Sequence, residues 1–139
     1  MKEFYFDKTA KIYYDSDLDT LFLEYLNKVS SDDQFININT ALLNAFRSLQ
    51  THKFIADIRK MGIISIEAQN WVVNNLLPGM IKHLAGKTLF HAQLLDSAEI
   101  LSKVSANQVK NKAAKTKEKI EVMQFTNREE MIEFLKKIK

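Results

Sequence analysis

The densest set of reactive side chains lies in the stretch FIADIRKMGIISIEAQNWVVNNLLPGM, Phe54 to Met80. An apolar run ends on Asp57, the basic pair Arg59-Lys60 follows, and Ser65 opens a segment carrying the only tryptophan, Trp71, and the only proline. An aspartate at the carboxyl end of a strand in an open α/β sheet can face a ligand or accept a phosphoryl group. Acceptors of that kind hold Mg²⁺, which needs a cluster of oxygen ligands. Apart from Asp7 and the turn DSDLD at 15–19, no paired aspartates stand near the end of the first strand. Asp57 is therefore read as an ion-pair partner of Arg59 or Lys60, or as an acceptor for the loop after it. Ser65 is read as a helix N-cap, whose oxygen accepts an orphaned backbone N–H.

The three histidines, His52, His83 and His91, are scattered, and neither H-x-x-x-H nor H-E-x-x-H occurs. His91 lies in Leu89-Phe90-His91-Ala92-Gln93, on a predicted central strand, where a satisfied or edge-facing imidazole is the ordinary role and a ligand or base the alternative. With three glycines, the chain has no glycine-rich phosphate loop and no G-x-S-x-G elbow. Cysteine is absent, which excludes thiol catalysis, disulfides and zinc-thiolate sites. No catalytic residue, metal or cofactor is expected.

The elements that position these residues follow from periodicity. Phe4 to Phe6, Lys11 to Tyr14 and Thr20 to Leu26 are short aromatic or aliphatic runs, which predicts an antiparallel meander. Ser31-Asp32-Asp33-Gln34 is a capping-box pattern, and Phe35, Ile38, Leu42, Ala45, Phe46 and Leu49 follow at helical spacing. Strands are predicted at Phe54–Ile58, Thr88–Leu94 and Lys119–Phe125. Helices are predicted over Ile66–Leu84, bent or broken near Pro78-Gly79, from Asp96-Ser97-Ala98-Glu99 to about Val109, and after Thr126-Asn127-Arg128-Glu129, with Met131, Phe134, Leu135 and Ile138 inward. The order β-β-β-α-β-α-β-α-β-α predicts one layered α/β domain over 1–139, an N-terminal antiparallel meander continuing into a mixed sheet covered by helices.

At 139 residues the chain can bury roughly two thirds of its unfolded surface in one core. Its net charge of +3 conceals a local +5 at 102–119, where six lysines meet one glutamate. That run lacks the arginine and aromatic residues that fork onto phosphate or stack on bases, so no specific nucleic acid is expected. No apolar run approaches the roughly 18 residues of a membrane span, and MKEFYFDKTA has no signal core. The chain reads as a soluble, cytoplasmic protein without a membrane span.

Ala56-Asp57-Ile58-Arg59, Met61-Gly62-Ile63-Ile64-Ser65, Trp71, Pro78 and Gly86, taken with the order of elements, resemble the SpoIIAA-like superfamily. That group contains STAS domains and the related Sec14-like lipid-binding fold, and the chain is most similar to small bacterial SpoIIAA-like proteins. The resemblance spans nearly the whole chain in element order and is sharpest over 54–86. STAS antagonists carry an Asp-Ser-Ser-Gly-like phosphoacceptor, whereas this chain has Met61-Gly62-Ile63-Ile64-Ser65, so the phosphorylation switch does not carry over.

The resemblance implies a non-enzymatic STAS-like regulatory or protein-interaction module, presenting a partner with the 57–66 loop and the helix after it. Its mark would be an exposed apolar patch beside Arg59 and Lys60. The alternative is a binder of a small apolar or amphipathic ligand, as Sec14-like relatives suggest, with Leu76, Leu77, Met80 and Ile81 lining a cavity at a break near Pro78. Candidate contact residues under the two readings are Asp57, Arg59, Lys60, Ser65, Trp71, Leu77, Met80 and His91. A homodimer is expected through the aromatic N-terminal strands or the Trp71 helix.

Overall fold

The computed structural model describes residues 1–96 and 119–138. The lysine run, apart from Lys119, and the predicted helix beyond Asp96 lie outside the described residues. One six-stranded sheet runs in the order β1 (Lys2–Phe6), β2 (Ala10–Asp15), β3 (Thr20–Tyr25), β4 (Lys53–Asp57), β5 (Leu89–Leu94) and β6 (Ile120–Phe125). The first three strands pair antiparallel, and β3 through β6 pair parallel. The meander and the mixed α/β sheet are as the sequence predicts.

Helix α1 (Asp32–Arg47) joins β3 to β4. Ser31 caps it, accepting from Gln34 N at 3.1 Å, while the Gln34 side chain reaches back to accept from Ser30 N at 2.7 Å. Two orphan N–H groups are satisfied in this way. Phe35, Ile38, Leu42, Ala45 and Phe46 are buried on its inner face, at the spacing of one helical stripe.

Between β4 and β5 the chain is helical without interruption through α2 (Ile66–Trp71), a π-helical turn at Val72–Leu76, and α3 (Leu77–Leu84). Of the two alternatives expected at Pro78-Gly79, bent or broken, the break does not occur. Proline lacks an N–H and its ring collides with the carbonyl four residues back. The wider π turn, marked by Leu77 N bonding Val72 O, relieves that conflict one turn earlier. The helix then continues through Pro78. Gly79 lets α3 lie against α1, since a Cβ there would stand 3.0 Å from both Leu43 methyls.

Helices α1, α2 and α3 cover one face of the sheet, over Ile12, Leu21, Leu23, Phe54 and Leu89. The opposite face, with Phe22, Ile55, Ala92 and Leu94, is covered by α4 (Arg128–Lys137) through Met131 and Leu135. Asn127, within the expected capping signal, is the residue that caps α4. Lys53 is 3 % exposed at the start of β4, and its Nζ donates to Leu135 O at 3.3 Å and Ile138 O at 3.2 Å. A cation there satisfies carbonyls at the negative end of the α4 dipole and fastens that helix to the sheet.

Candidate functional site

The carboxyl ends of β3, β4 and β5 open together onto the loops at 26–30, 58–65 and 95–96, the place where parallel α/β sheets usually meet ligands. Asp57 ends β4 and is 4 % exposed. Its Oδ1 accepts from Arg59 Nε at 2.9 Å and from the Arg59 backbone N–H at 3.3 Å, and its Oδ2 accepts from Arg59 Nη2 at 2.7 Å. Both anticipated roles, ion pair and loop acceptor, are filled by one arginine. The hydrogen bonds to Asp57 raise the Arg59 pKa against the opposing effect of burial. Lys60 takes no part in this pair and is exposed.

Ser65 caps α2, accepting from Ala68 N at 3.0 Å. Its hydroxyl donates to the Asp32 carboxylate, with both oxygens at 2.8 Å, and so ties the loop to the first turn of α1. A phosphate on Ser65 would face that carboxylate, a repulsive arrangement. The loop is fastened once more by Val29 N bonding Met61 O at 3.1 Å. Gly62, at φ +79°, makes the turn between these anchors.

Those anchors sort the loop's apolar side chains. Met61 and Ile64 are buried, whereas Ile63 and Ile66 are 58 % and 62 % exposed. Gly62, next to Ile63 in the chain, helps line a polar cleft of about 320 Å³ together with Leu26, Asn27, Lys28, Arg59, Lys60 and Asp96. Three cations and one carboxylate line it, so the site pairs a positive cleft with exposed aliphatic surface. Among the described residues, no three His, Asp or Glu side chains gather to hold a metal ion.

Beneath the same loop, between the sheet and helices α1 and α2, is an apolar cavity of about 50 Å³. Leu23, Phe54 and Ala56 contribute from the sheet, Phe35 and Leu42 from α1, and Val72 and Leu76 from the two ends of the π turn. Ile58, Met61 and Ile64 come from the β4–α2 connection. Four polar residues join this lining: Tyr25, Asn39, His91 and Gln93. Asn39 Nδ2 donates to Tyr25 Oη at 3.2 Å and Phe35 O at 2.9 Å, and Gln93 Oε1 accepts from Gln124 Nε2 at 3.0 Å.

His91 differs from its expected state. It stands on central β5, 4 % exposed, so it is not edge-facing, and its Nδ1 has no hydrogen-bond partner among the described residues, so it is not satisfied. The ring stacks on Phe54 at 4.0 Å and 4°, a contact that helps bury the imidazole. Burial pushes its pKa down to about 4, the Phe54 backbone offsetting part of the effect, and the ring is neutral at physiological pH.

No family model, curated protein or solved structure matches this chain. The residues must therefore speak for themselves.

The structure gathers Asp57, Arg59, Lys60 and Ser65 at one end of the sheet and places His91 in the cavity beneath. Trp71 is half-buried against the main core. Leu77 and Met80 are 3 % and 0 % exposed and belong to that core, not to the cavity lining, because α3 continues through Pro78 and closes on α1. Of the group expected around Pro78, Leu76 alone lines the cavity. Sequence reasoning missed Asn39, Gln93, Ile63 and Ile66. Asn39 interrupts the apolar stripe of α1, and Gln93 repeats the polar choice of His91 two residues on, so both carried a signal. Nothing in the local sequence distinguishes outward Ile63 and Ile66 from inward Met61 and Ile64.

Proposed function

We propose that this chain is a non-enzymatic, STAS-like regulatory or protein-interaction module of the SpoIIAA-like superfamily, and that it docks a partner protein at the carboxyl end of its sheet. The observation that carries this reading is the exposure of Ile63 and Ile66 beside Lys28, Arg59 and Lys60. Exposed aliphatic side chains clustered next to a charged rim mark interaction surfaces, because a partner gains by covering them and the rim fixes its register. The complementary partner segment presents apolar side chains flanked by carboxylates.

Rigidity supports the same reading. The loop is held at Asp57–Arg59, at Ser65–Asp32 and at Val29–Met61, so little ordering entropy opposes docking. Asp57 and Ser65, the two side chains suited to accept a phosphoryl group, are each engaged by a charged neighbour, which favours binding over bond-making chemistry. The antiparallel start, the parallel continuation and the shared helical face support the family reading. No helix among the described residues is long and apolar enough to cross a membrane. A chain without cysteine suits a reducing compartment, and we place its work in the cytoplasm. A homodimer through the β1 edge is part of this proposal, since Phe6 is 63 % exposed there on a strand that has one side unpaired among the described residues.

The test uses two surface variants of the tagged full chain, Ile63→Ser/Ile66→Ser and Lys28→Glu/Lys60→Glu, expressed in its own host; Arg59 is left in place because it holds buried Asp57. The isoleucine pair should keep the wild-type thermal midpoint while losing a protein that co-purifies with wild type, and the charge pair should lose it as well. Retention of every co-purifying protein by both variants would sink the proposal.

A further inference from the structure

We infer that the polar cleft formed by the loops after β3 and β4 takes a phosphomonoester, carried on a serine or threonine of the partner segment in place of one of its flanking carboxylates. The inference rests on the docking surface proposed above and names the anion that its charged rim selects.

The state of the three cations leads to it. Lys28 comes from the loop after β3, Arg59 and Lys60 from the loop after β4, and all three line one cleft of about 320 Å³. Arg59 spends Nε and Nη2 on Asp57, which fixes the guanidinium and leaves Nη1 outside that pair. Lys28 and Lys60 are exposed, and neither makes an ion pair among the described residues. Lys28 is nevertheless placed. A Cβ at Gly62 would stand 3.3 Å from Lys28 Cγ and 3.6 Å from its Cδ, so the lysine stem lies across the bare glycine and only Cε and Nζ extend past the contact. Holding the stem in the free protein lowers the ordering cost of using its ammonium.

Charge sets the sign of the ligand. Asp96 also lines the cleft and Asp57 lies behind Arg59, so two carboxylates offset two of the three cations and one positive charge is left over. The donors set its shape. A carboxylate is held best by an arginine fork, two parallel N–H groups, and that edge of Arg59 is already taken. What remains is one guanidinium nitrogen and two ammonium groups, which meet oxygens singly. Lysine binds phosphate in this way, as a point charge. A phosphomonoester offers three acceptor oxygens and a charge of about −1.5 to −2 at pH 7. Exposed Ile63, the residue after Gly62, gives the side chains flanking the phosphorylated residue something to cover. A phospholipid fits less well, since the apolar cavity beneath the loop is about 50 Å³ and cannot take an acyl chain.

The probes are three tripeptides blocked at both ends, with phosphoserine, glutamate or serine between two leucines, together with inorganic phosphate and phosphatidylcholine vesicles containing phosphatidic acid. Each is titrated into the ¹⁵N-labelled full chain while the amides of Arg59, Lys60 and Gly62 are followed. The phosphoserine tripeptide should shift these amides and bind about tenfold tighter than the glutamate one, the advantage of one further charge-assisted hydrogen bond. It should also outbind inorganic phosphate, which lacks the leucines, and the serine tripeptide should leave the amides unmoved. Lys28→Gln/Lys60→Gln should abolish the preference for phosphoserine over glutamate. Equal affinities for those two tripeptides, a preference that survives the lysine variant, inorganic phosphate bound as tightly as the phosphotripeptide, or a response to the vesicles alone would each overturn the inference. The wild-type comparison stands even if the variant folds poorly. A partner that still co-purifies through Ile63 and Ile66 after phosphatase treatment of the lysate would overturn this inference while leaving the docking surface in place.

Discussion

Acid should unfold this protein earlier than its carboxylates require, and His91 sets the amount. In the unfolded chain an imidazole takes a proton near pH 6.5; in the folded protein burial delays it to about pH 4. Between those values the unfolded state binds more protons, so stability falls as pH falls; it is fully present above pH 6.5 and stops changing below about 4. The interval from 6.5 to about 4, at about 1.4 kcal/mol per pH step, caps the loss at about 3 kcal/mol, and about 2.5 of that is spent by pH 4.5. For a domain whose whole stability is of the order of 5–15 kcal/mol this is a large fraction. The assay is urea unfolding at pH 7.5 and pH 4.5 for wild type and His91→Leu. Leucine cannot be protonated, so the variant should lose about 2–3 kcal/mol less over that interval. At pH 7.5 the two proteins should agree to about 1 kcal/mol, the stacking on Phe54 being exchanged for removal of an unpaired nitrogen. Parallel pH dependences for the two proteins, or a His91 ring that titrates near 6.5, would refute the reasoning. The interval avoids Asp7, where burial pushes the pKa up but hydrogen bonds from Tyr5, Ala10 and Thr9 together outweigh it and leave the pKa lowered; its stabilisation is lost as pH falls from 3.8 through that lowered value.

Other expectations follow from individual contacts. Ser65→Ala should cost about 1–2 kcal/mol in chemical denaturation, since it removes both the α2 cap and the tie to Asp32. Acetyl phosphate should leave Asp57 unlabelled by mass spectrometry, because both carboxylate oxygens are engaged by Arg59. Lys53→Met should reduce hydrogen-exchange protection of the α4 amides about tenfold while changing global stability little, since it removes two charged hydrogen bonds to helix-end carbonyls together with the desolvated cation that makes them. Light scattering coupled to gel filtration should give twice the chain mass, and Phe6→Lys should return it to one chain.

Strand and helix order was legible because each element of this chain agrees with its own local signals. Short β-rich runs are separated by turn residues, and Ser31, Ser65 and Asn127 stand where caps belong. Asp57 and Ser65 could be assigned from sequence because their partners are close or generic: an arginine two residues away and an N–H three residues ahead. The path around Pro78 could not be, since relief of the proline clash depends on whether the preceding turn can widen while α3 stays packed on α1. The cavity was equally hidden. Its walls come from residues 23 to 93, and whether His91 is bonded or stacked depends on the register that sets Phe54 beside it. The sorting of 61–66 into inward and outward residues rests on two long-range ties, Ser65–Asp32 and Val29–Met61, that no local pattern encodes.

The central claim, that the carboxyl end of the sheet is a docking surface, is tested most directly by placing a photo-crosslinking amino acid at Ile63, at Ile66 and, as a control, at exposed Glu133 on α4, in cells of the protein's own host. The account predicts one and the same protein crosslinked from 63 and 66, absent from 133, and lost when Lys28→Glu/Lys60→Glu is added. No crosslinked protein at 63 and 66, or an identical set from all three positions, would contradict it.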